Sequence, residues 1–424
     1  VNQKNAPTTA PNNVSSGRSA RTRRSLALSV VLVAAAACSG GGDEETIVTT
    51  TEPPATTEAT TTTVAPTTTE APETTTTTTI DPNADDSIRQ PLTGEIVESD
   101  DDKIDLPALV VKIDNNDAGA RRNHSGLAVA DIVFEEIVEG DTRFAAVFHS
   151  TGSDPVGPVR SGREQDVNLL SSLNEPLFAW SGGNPGVTRL VRDSFLTDLN
   201  AGFNAGAYYR GPGNAPHDLY SSTDRLLELT PDDHPGPPDQ QFDYVRPDEE
   251  FEGEAVDAFD LSLRGKRIRW EWDAVEGGFA RFQSGSRHTD VVHGDIFATN
   301  IVVMVVDYKP SRIDSRAPDA QTLGSGPVYV FSNGQVQTGR WRRNLAVGAF
   351  TLVDDAGDPL GLTPGNTWVE VAEGDPGDGF ILPVVPTVEE GEEPPVTVDP
   401  ATIARIVLTE PEAAPTDITI DYPE

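Results

Sequence analysis

From Ser39 to about Ser87 the chain is built of Thr, Pro, Glu and Ala, with an unbroken run from Thr74 to Thr79 and almost no large apolar residue. Such a stretch has nothing to bury and cannot offset the entropy of ordering its backbone. Its roughly fifty residues form a tether with a coil dimension of ~40 Å, longer where prolines and charges stiffen it. From about Glu373 the chain turns acidic and Pro-rich again and is expected to be largely disordered for the same reason. A hydrophobic core is thereby confined to the segment between, consistent with an apolar fraction of only 36 % over 424 residues.

The only cysteine, Cys38, excludes an internal disulfide framework and a cysteine-rich zinc site. Arg18, Arg21, Arg23 and Arg24 precede an apolar run, Leu26 to Ala37, that is too short to cross a bilayer but suits a signal sequence. Ala35-Ala36-Ala37-Cys38 then resembles a lipobox, with Ala35 in the place of the usual Leu. The expectation is cleavage before Cys38 and lipidation of its thiol, which makes a membrane the first partner and the extracytoplasmic face the address. The formal charge of −37 offers no basic face for nucleic acid, so any bound anion must be gripped locally.

Secondary-structure periods begin near Arg89. Ala108 to Asp114 alternates and reads as a strand with Lys112 and Asp114 on a polar outer side. Ile132 to Glu139 and Arg143 to Ser150 read as a hairpin turning at Gly140-Asp141. Ser161 to Leu173 reads as a helix whose capping box is Ser161 with Glu164, and Val187 to Leu199 as a second helix with Leu190, Val191, Phe195 and Leu199 on one stripe. Pro231 to Pro238 marks a boundary, beyond which strand patterns dominate. The organisation expected is a signal over 1–37, a stalk over 38–88, an N-terminal domain over 89–238, a C-terminal domain over 250–372 and a tail over 373–424. The fold class is α+β, a mixed α/β domain followed by a smaller, mostly-β domain.

Several motifs occur in a familiar order: Val111-Lys112-Ile113-Asp114-Asn115, Ala130-Asp131-Ile132-Val133-Phe134-Glu135, Val138-Glu139-Gly140 and Thr142-Arg143-Phe144. Val156-Gly157-Pro158-Val159-Arg160-Ser161, Ala215-Pro216-His217-Asp218, His288-Thr289-Asp290 and Gly365-Asn366-Thr367-Trp368 continue it. From about Pro91 to Val371 the chain resembles the YerB-like lipoproteins, a bacterial family with an N-terminal and a C-terminal part. The resemblance implies an extracytoplasmic lipoprotein of two domains and implies no reaction. His124 stands where the family often has Gln, and Gly162 where Ala is common.

Arg160 and Arg163 flank the start of the expected helix, placing positive charge at the positive end of its dipole unless an anion compensates. Two readings follow. Arg143, Arg160, Arg163 and His217 bind a carboxylate or phosphate of a cell-wall or envelope ligand, or the arginines pair with Asp166, Glu135 or Glu139. Glu135, Glu139 and Asp114, with His217, are the acid/base candidates of a rival glycan or peptidoglycan hydrolase or transferase. Four residues apart on one strand, Glu135 and Glu139 would lie ~13 Å from each other, too far for either hydrolytic geometry. Ser181, in Ala179-Trp180-Ser181-Gly182-Gly183, has weak nucleophile-elbow spacing, better read as a connecting turn. His288, Asp290 and His293 do not share a strand face, so no metal site is assigned and no cofactor is implied. Trp270, Trp272, Trp341 and Trp368 read as core, and the second domain as an alternative protein-interaction module.

Overall fold

The computed structural model describes residues 87–116 and 118–374, together with the backbone of 407–409. Cys38, the leader, the Thr/Pro tract and most of the acidic tail lie outside the described residues. The described part is α+β, rich in strand, with four short α-helices among the described residues: α1 (Ala118–Arg121), α2 (Glu164–Leu170), α3 (Pro185–Arg192) and α4 (Thr223–Leu227).

The N-terminal part supplies β1 (Leu109–Asp114), β2 (Ile132–Val138), β3 (Asp141–Phe148), β4 (Leu177–Ala179) and β5 (Thr197–Asp198). The C-terminal part supplies β6 (Ala258–Leu263), β7 (Lys266–Asp273), β8 (Gly278–Gln283), β9 (Asn300–Val306), β10 (Gly324–Ser332), β11 (Gln335–Arg343), β12 (Thr351–Val353) and β13 (Thr367–Glu373). One eleven-stranded sheet runs β12-β11-β10-β9-β13-β2-β3-β1-β4-β5, with Glu254–Ala255 as the eleventh strand, off this path and paired with β11. The boundary legible at Pro231 to Pro238 is thus a crossover of the chain and not a break in the sheet. The last of these strands to be made, β13, lies between β9 and β2, parallel to both.

Strands β6, β7 and β8 form an antiparallel meander within a six-stranded second sheet. It packs on one face of the large sheet, with Phe259 stacked on Phe331 at 3.7 Å and Trp270 edge-on to Trp368 at 5.3 Å. Three of the four tryptophans read as core, Trp270, Trp341 and Trp368, are fully buried, and Trp272 is half-buried. In the acidic tail, Val407–Thr409 pairs antiparallel with β6, so this short β-branched piece is strand.

Four local readings change. Strand β1 is buried on both faces, Lys112 and Asp114 included, because it is interior to a sheet covered on each side. The hairpin turns at Glu139-Gly140, one residue earlier than expected, with Val138 facing Asp141 and Gly140 at a φ of 70°. Helix α2 starts at Glu164 with Arg163 as its N-cap, so the Ser161–Glu164 capping box does not form. Glu164 instead binds Ser311 and the backbone N–H of Arg312, at 2.6 and 2.9 Å. Asp166 takes the cap's reciprocal half by accepting the Arg163 N–H at 2.5 Å; the arginine side chain has no acceptor for the other half. Helix α3 ends at Arg192, leaving Phe195 exposed and Leu199 beyond β5. Its start is set by Asn184, which accepts the N–H groups of Gly186 and Val187, and by Pro185 at the first position.

Candidate functional site

Alternation along β2 sends Glu135 and Glu136 to opposite faces of the sheet, and each face carries its own buried polar network.

On the face toward the second sheet, Arg281 of β8 is fully buried and forms an ion pair with Glu135. Its guanidinium lies 4.7 Å from the Trp368 ring centre, 5.5 Å from Phe144 and 5.6 Å from Trp270. Glu135 also accepts from Thr142 Oγ at 2.6 Å and from Asn115 at 3.2 Å, while Asn115 and Gln283 exchange hydrogen bonds. Arg281 Nη1 donates to His288 Nδ1 at 2.5 Å, so His288 must carry its proton on Nε2. That proton points to His124 Nδ1 at 2.7 Å, and His124 Nε2 in turn donates to the Asp114 carbonyl at 2.6 Å. The relay leaves both imidazoles neutral, with every ring nitrogen used. Burial first, and then the Arg281 charge for His288, holds both well below the ordinary histidine value; His124 falls to about 4. Burial and the facing Glu135 charge push Glu370, which accepts from Trp270 Nε1 at 3.0 Å, well above the carboxylate range.

On the face toward α2, Lys112 Nζ binds Asp166 at 2.7 Å and forms an ion pair with Glu136, all three being fully buried. Burial, opposed by Asp166 and aided by Arg143 and Arg163, brings Lys112 down to about 8. The segment after Pro158 is laid along the end of β1 by Asp114 N–H to Pro158 O and Arg160 N–H to Lys112 O, at 2.9 and 2.8 Å. Arg160 Nε therefore comes within 3.3 Å of Asp114 Oδ2. The same carboxylate meets His217 Nδ1, carried in from the loop between Tyr209–Arg210 and Leu219–Tyr220. Arg143 faces Asp114 across the β1–β3 pairing and donates to Ser161 O at 3.0 Å. Burial, followed by the nearby Arg163 and Arg160 charges, pushes the Arg143 guanidinium down to about 10 despite Asp114. Arg163 is claimed by Glu139, at 2.6 Å; Glu139 is pushed up by burial but held below its ordinary value by that arginine.

Asp114, Arg143, Arg160, Arg163 and His217 thus gather at the end of β1, with Glu139 at their edge. Glu135 does not join them. It lies across the sheet, committed to Arg281, so no Glu135–Glu139 carboxylate pair exists. The Asp166 suggested as a partner for Arg163 goes to Lys112 by its side chain and to Arg163 only through the backbone N–H. Ser181 donates its backbone N–H to Arg160 O at 2.9 Å, and the turn after it is tight because Gly183, at a φ of 118°, lies against the Trp180 ring. His288, Asp290 and His293 diverge: His288 joins the relay, Asp290 caps the N–H groups of Val292 and His293, and His293 meets Ser153 Oγ at 2.9 Å. Among the described residues no group of His, Cys, Asp and Glu converges on a metal-sized point.

Arg143 Nε, although its residue is only 6 % exposed, has no hydrogen-bond partner among the described residues, and the Arg160 Nε contact to Asp114 lacks hydrogen-bond geometry. Two buried guanidinium nitrogens in one cluster thus lack a hydrogen-bond acceptor, and an anion is one group that would supply it. Two hollows lie near the Ser181–Gly183 turn, and Arg143, Arg160 and His217 line neither. One, of about 250 Å³, is lined by Arg163 with Glu139 and by Arg316 with Asp314. The other, of about 490 Å³, is lined by Ser181, Ala201, Ala205, Tyr208, Tyr209, Arg210 and Leu219. Sequence reasoning missed Arg281, Glu370 and Tyr209; the only trace of Arg281 was its inward register between Phe279 and Gln283.

Comparison with known proteins agrees with this architecture. The chain is 27 % identical over 300 residues to YerB of Bacillus subtilis (strain 168), described as a lipoprotein, spanning 68 % of this chain and 88 % of that one. A crystal structure of the YerB protein from Bacillus subtilis superposes with a TM-score of 0.57 at 24 % identity, over 67 % of this chain and 96 % of that one, and shares the fold. Among the described residues no helix is long and apolar enough to cross a membrane. Residues 92–235 match the N-terminal domain, and residues 259–369 the C-terminal domain, of a protein family of unknown function, DUF3048, and the chain belongs to that family.

Proposed function

We propose that this protein is a lipid-anchored protein of the extracytoplasmic membrane face that binds an anionic group of a cell-wall or envelope ligand. The observation that carries the binding reading is the pair of buried, unsatisfied guanidinium donors on Arg143 and Arg160 beside a partly exposed His217. Arg163 adds charge, although Glu139 already holds its guanidinium. A carboxylate or phosphate would complete the donors that the protein itself leaves open, each charge-assisted bond contributing about 1.5–3 kcal/mol. Arg160→Ala is therefore expected to weaken binding of inorganic phosphate and of acetate by roughly tenfold or more, measured by calorimetry. The thermal unfolding temperature is recorded alongside and should fall only in part, because Asp114, which is fully buried, loses Arg160 but keeps His217. Undiminished affinity in this variant sinks the reading.

The anchor rests on Cys38 after Ala35-Ala36-Ala37 and on the lipoprotein relative. Cys38→Ser is expected to move the protein from the membrane to the soluble fraction, with loss of the diacylglycerol mass from the mature chain; a membrane-bound Cys38→Ser protein rejects lipidation there.

One observation favours the enzymatic alternative, a glycan or peptidoglycan hydrolase or transferase. Buried Asp114 receives His217 Nδ1, which orients the imidazole and leaves Nε2 for proton transfer. On this reading the acid/base work falls to His217 and Asp114, with Glu139 at the edge. Turnover of peptidoglycan abolished by His217→Gln supports it, and binding without turnover rejects it.

A further inference from the structure

Resting on the anion-binding reading, we infer that the anion is carried on a sugar, whose ring sits in the cleft between Ser181 and Tyr209. The cleft and the arginine cluster are joined through the backbone. Val159 donates to Leu219 O at 2.6 Å, and Arg160 O accepts from Ser181 at 2.9 Å, so residues 159 and 160 run between two walls of the cleft. The hairpin that supplies Tyr209 and Leu219 also carries His217 to Asp114 in its loop. Cleft and cluster are neighbours built on shared elements.

The lining suits a saccharide. At about 490 Å³ the cleft has room for a sugar ring and its substituents, and small residues, Ala201, Gly202 and Ala205, keep one side open. Tyr209 is 38 % exposed there, held by a two-residue pairing with Tyr220 and with the Arg225 guanidinium 5.9 Å from its ring centre. Tyr208 is buried, its hydroxyl spent on Leu199 O, so it presents ring and not a donor. A sugar has one apolar C–H face that packs on an aromatic ring and a rim of hydroxyls that need donors and acceptors. Ser181 and Arg210 stand at the cleft's edge to meet that rim, and Arg210 is itself fixed by Asp218. A purely apolar ligand would strand these polar groups, and a bare anion would leave the cleft unfilled.

The test is calorimetry on the full chain with five probes: inorganic phosphate, glucose 6-phosphate, galacturonate, glucose and phenyl phosphate. Glucose 6-phosphate or galacturonate should bind at least tenfold more tightly than inorganic phosphate, and which of the two does so tells phosphate from carboxylate. Tyr209→Ala should erase most of that tenfold margin while leaving the affinity for inorganic phosphate unchanged. Ala205→Trp, which fills the cleft without removing a wall, should do the same and guards against a misfolded Tyr209 variant. Sugar anions that bind no better than inorganic phosphate overturn the inference yet leave the anion reading standing. Phenyl phosphate binding more tightly than both sugar anions overturns it in favour of an aromatic ligand. If neither phosphate nor any sugar anion binds, the anion reading fails with it.

Discussion

Arg281→Met is expected to lower the stability of the folded part by about 3–5 kcal/mol, the usual cost of removing one partner from a buried ion pair. Glu135 would be left charged and fully buried beside Glu370, and His288 would lose the donor that sets its tautomer. The aromatic cage of Trp368, Phe144 and Trp270 would lose its cation as well. Denaturant unfolding followed by tryptophan fluorescence measures the change, since Trp270 and Trp368 line the site. Because the damage comes mainly from a stranded charge, adding Glu135→Gln to Arg281→Met should recover part of the loss. A single variant within 1 kcal/mol of the parent would show that the network is solvated or rearranges.

The second large effect is acid lability between pH 6.5 and about 4. His124 is neutral in the fold down to about pH 4, whereas in the unfolded chain it takes up a proton near 6.5. A depressed folded value means that its contribution is complete above pH 6.5 and is lost as the pH falls toward about 4. A fully buried group displaced by this much contributes about 3 kcal/mol. His288 shifts in the same direction and adds to it. Glu370 acts oppositely: its raised value gives stability that is complete below the ordinary glutamate range and is lost as the pH rises. Unfolding temperatures recorded from pH 7.5 to 4 should therefore fall on the acid side. His124→Gln should flatten that fall, because the amide oxygen can accept from His288 and its N–H can donate to the Asp114 carbonyl. An equally steep acid limb in His124→Gln would assign the lability elsewhere.

Much of the architecture was legible because its signals are local. The β-branched and aromatic residues of Ile132 to Val138 and the Gly140 turn specify a hairpin, and the continuous apolar run Ile301–Val306 specifies a strand buried on both faces. Lys112 and Asp114 misled because alternation cannot tell a solvent-facing polar row from one facing a second packed layer. Ser161 misled for a similar reason: a capping residue competes with tertiary partners, and Ser311 draws Glu164 away from the helix start. The arginine cluster was legible as an electrostatic conflict around Ser161, and His217 as a loop histidine between Pro216 and Asp218. The split of Glu135 from Glu139 needed the register of β2, and the Arg281 relay needed contacts across more than 140 residues, which no local pattern encodes.

The placement of β13 bears on the order in which the protein can come into being. The inner flank of β2 has no partner until Thr367–Glu373 has been made, and neither has that of β9. A nascent chain ending before residue 367 would present two unpaired strand edges, each Val- and Ile-rich, for as long as synthesis takes to reach the closing strand. Completion of the sheet is consequently a late, nonlocal event. Truncation inside the C-terminal part should act on the N-terminal part as well, leaving the flank of β2 open to pair with another copy of the chain.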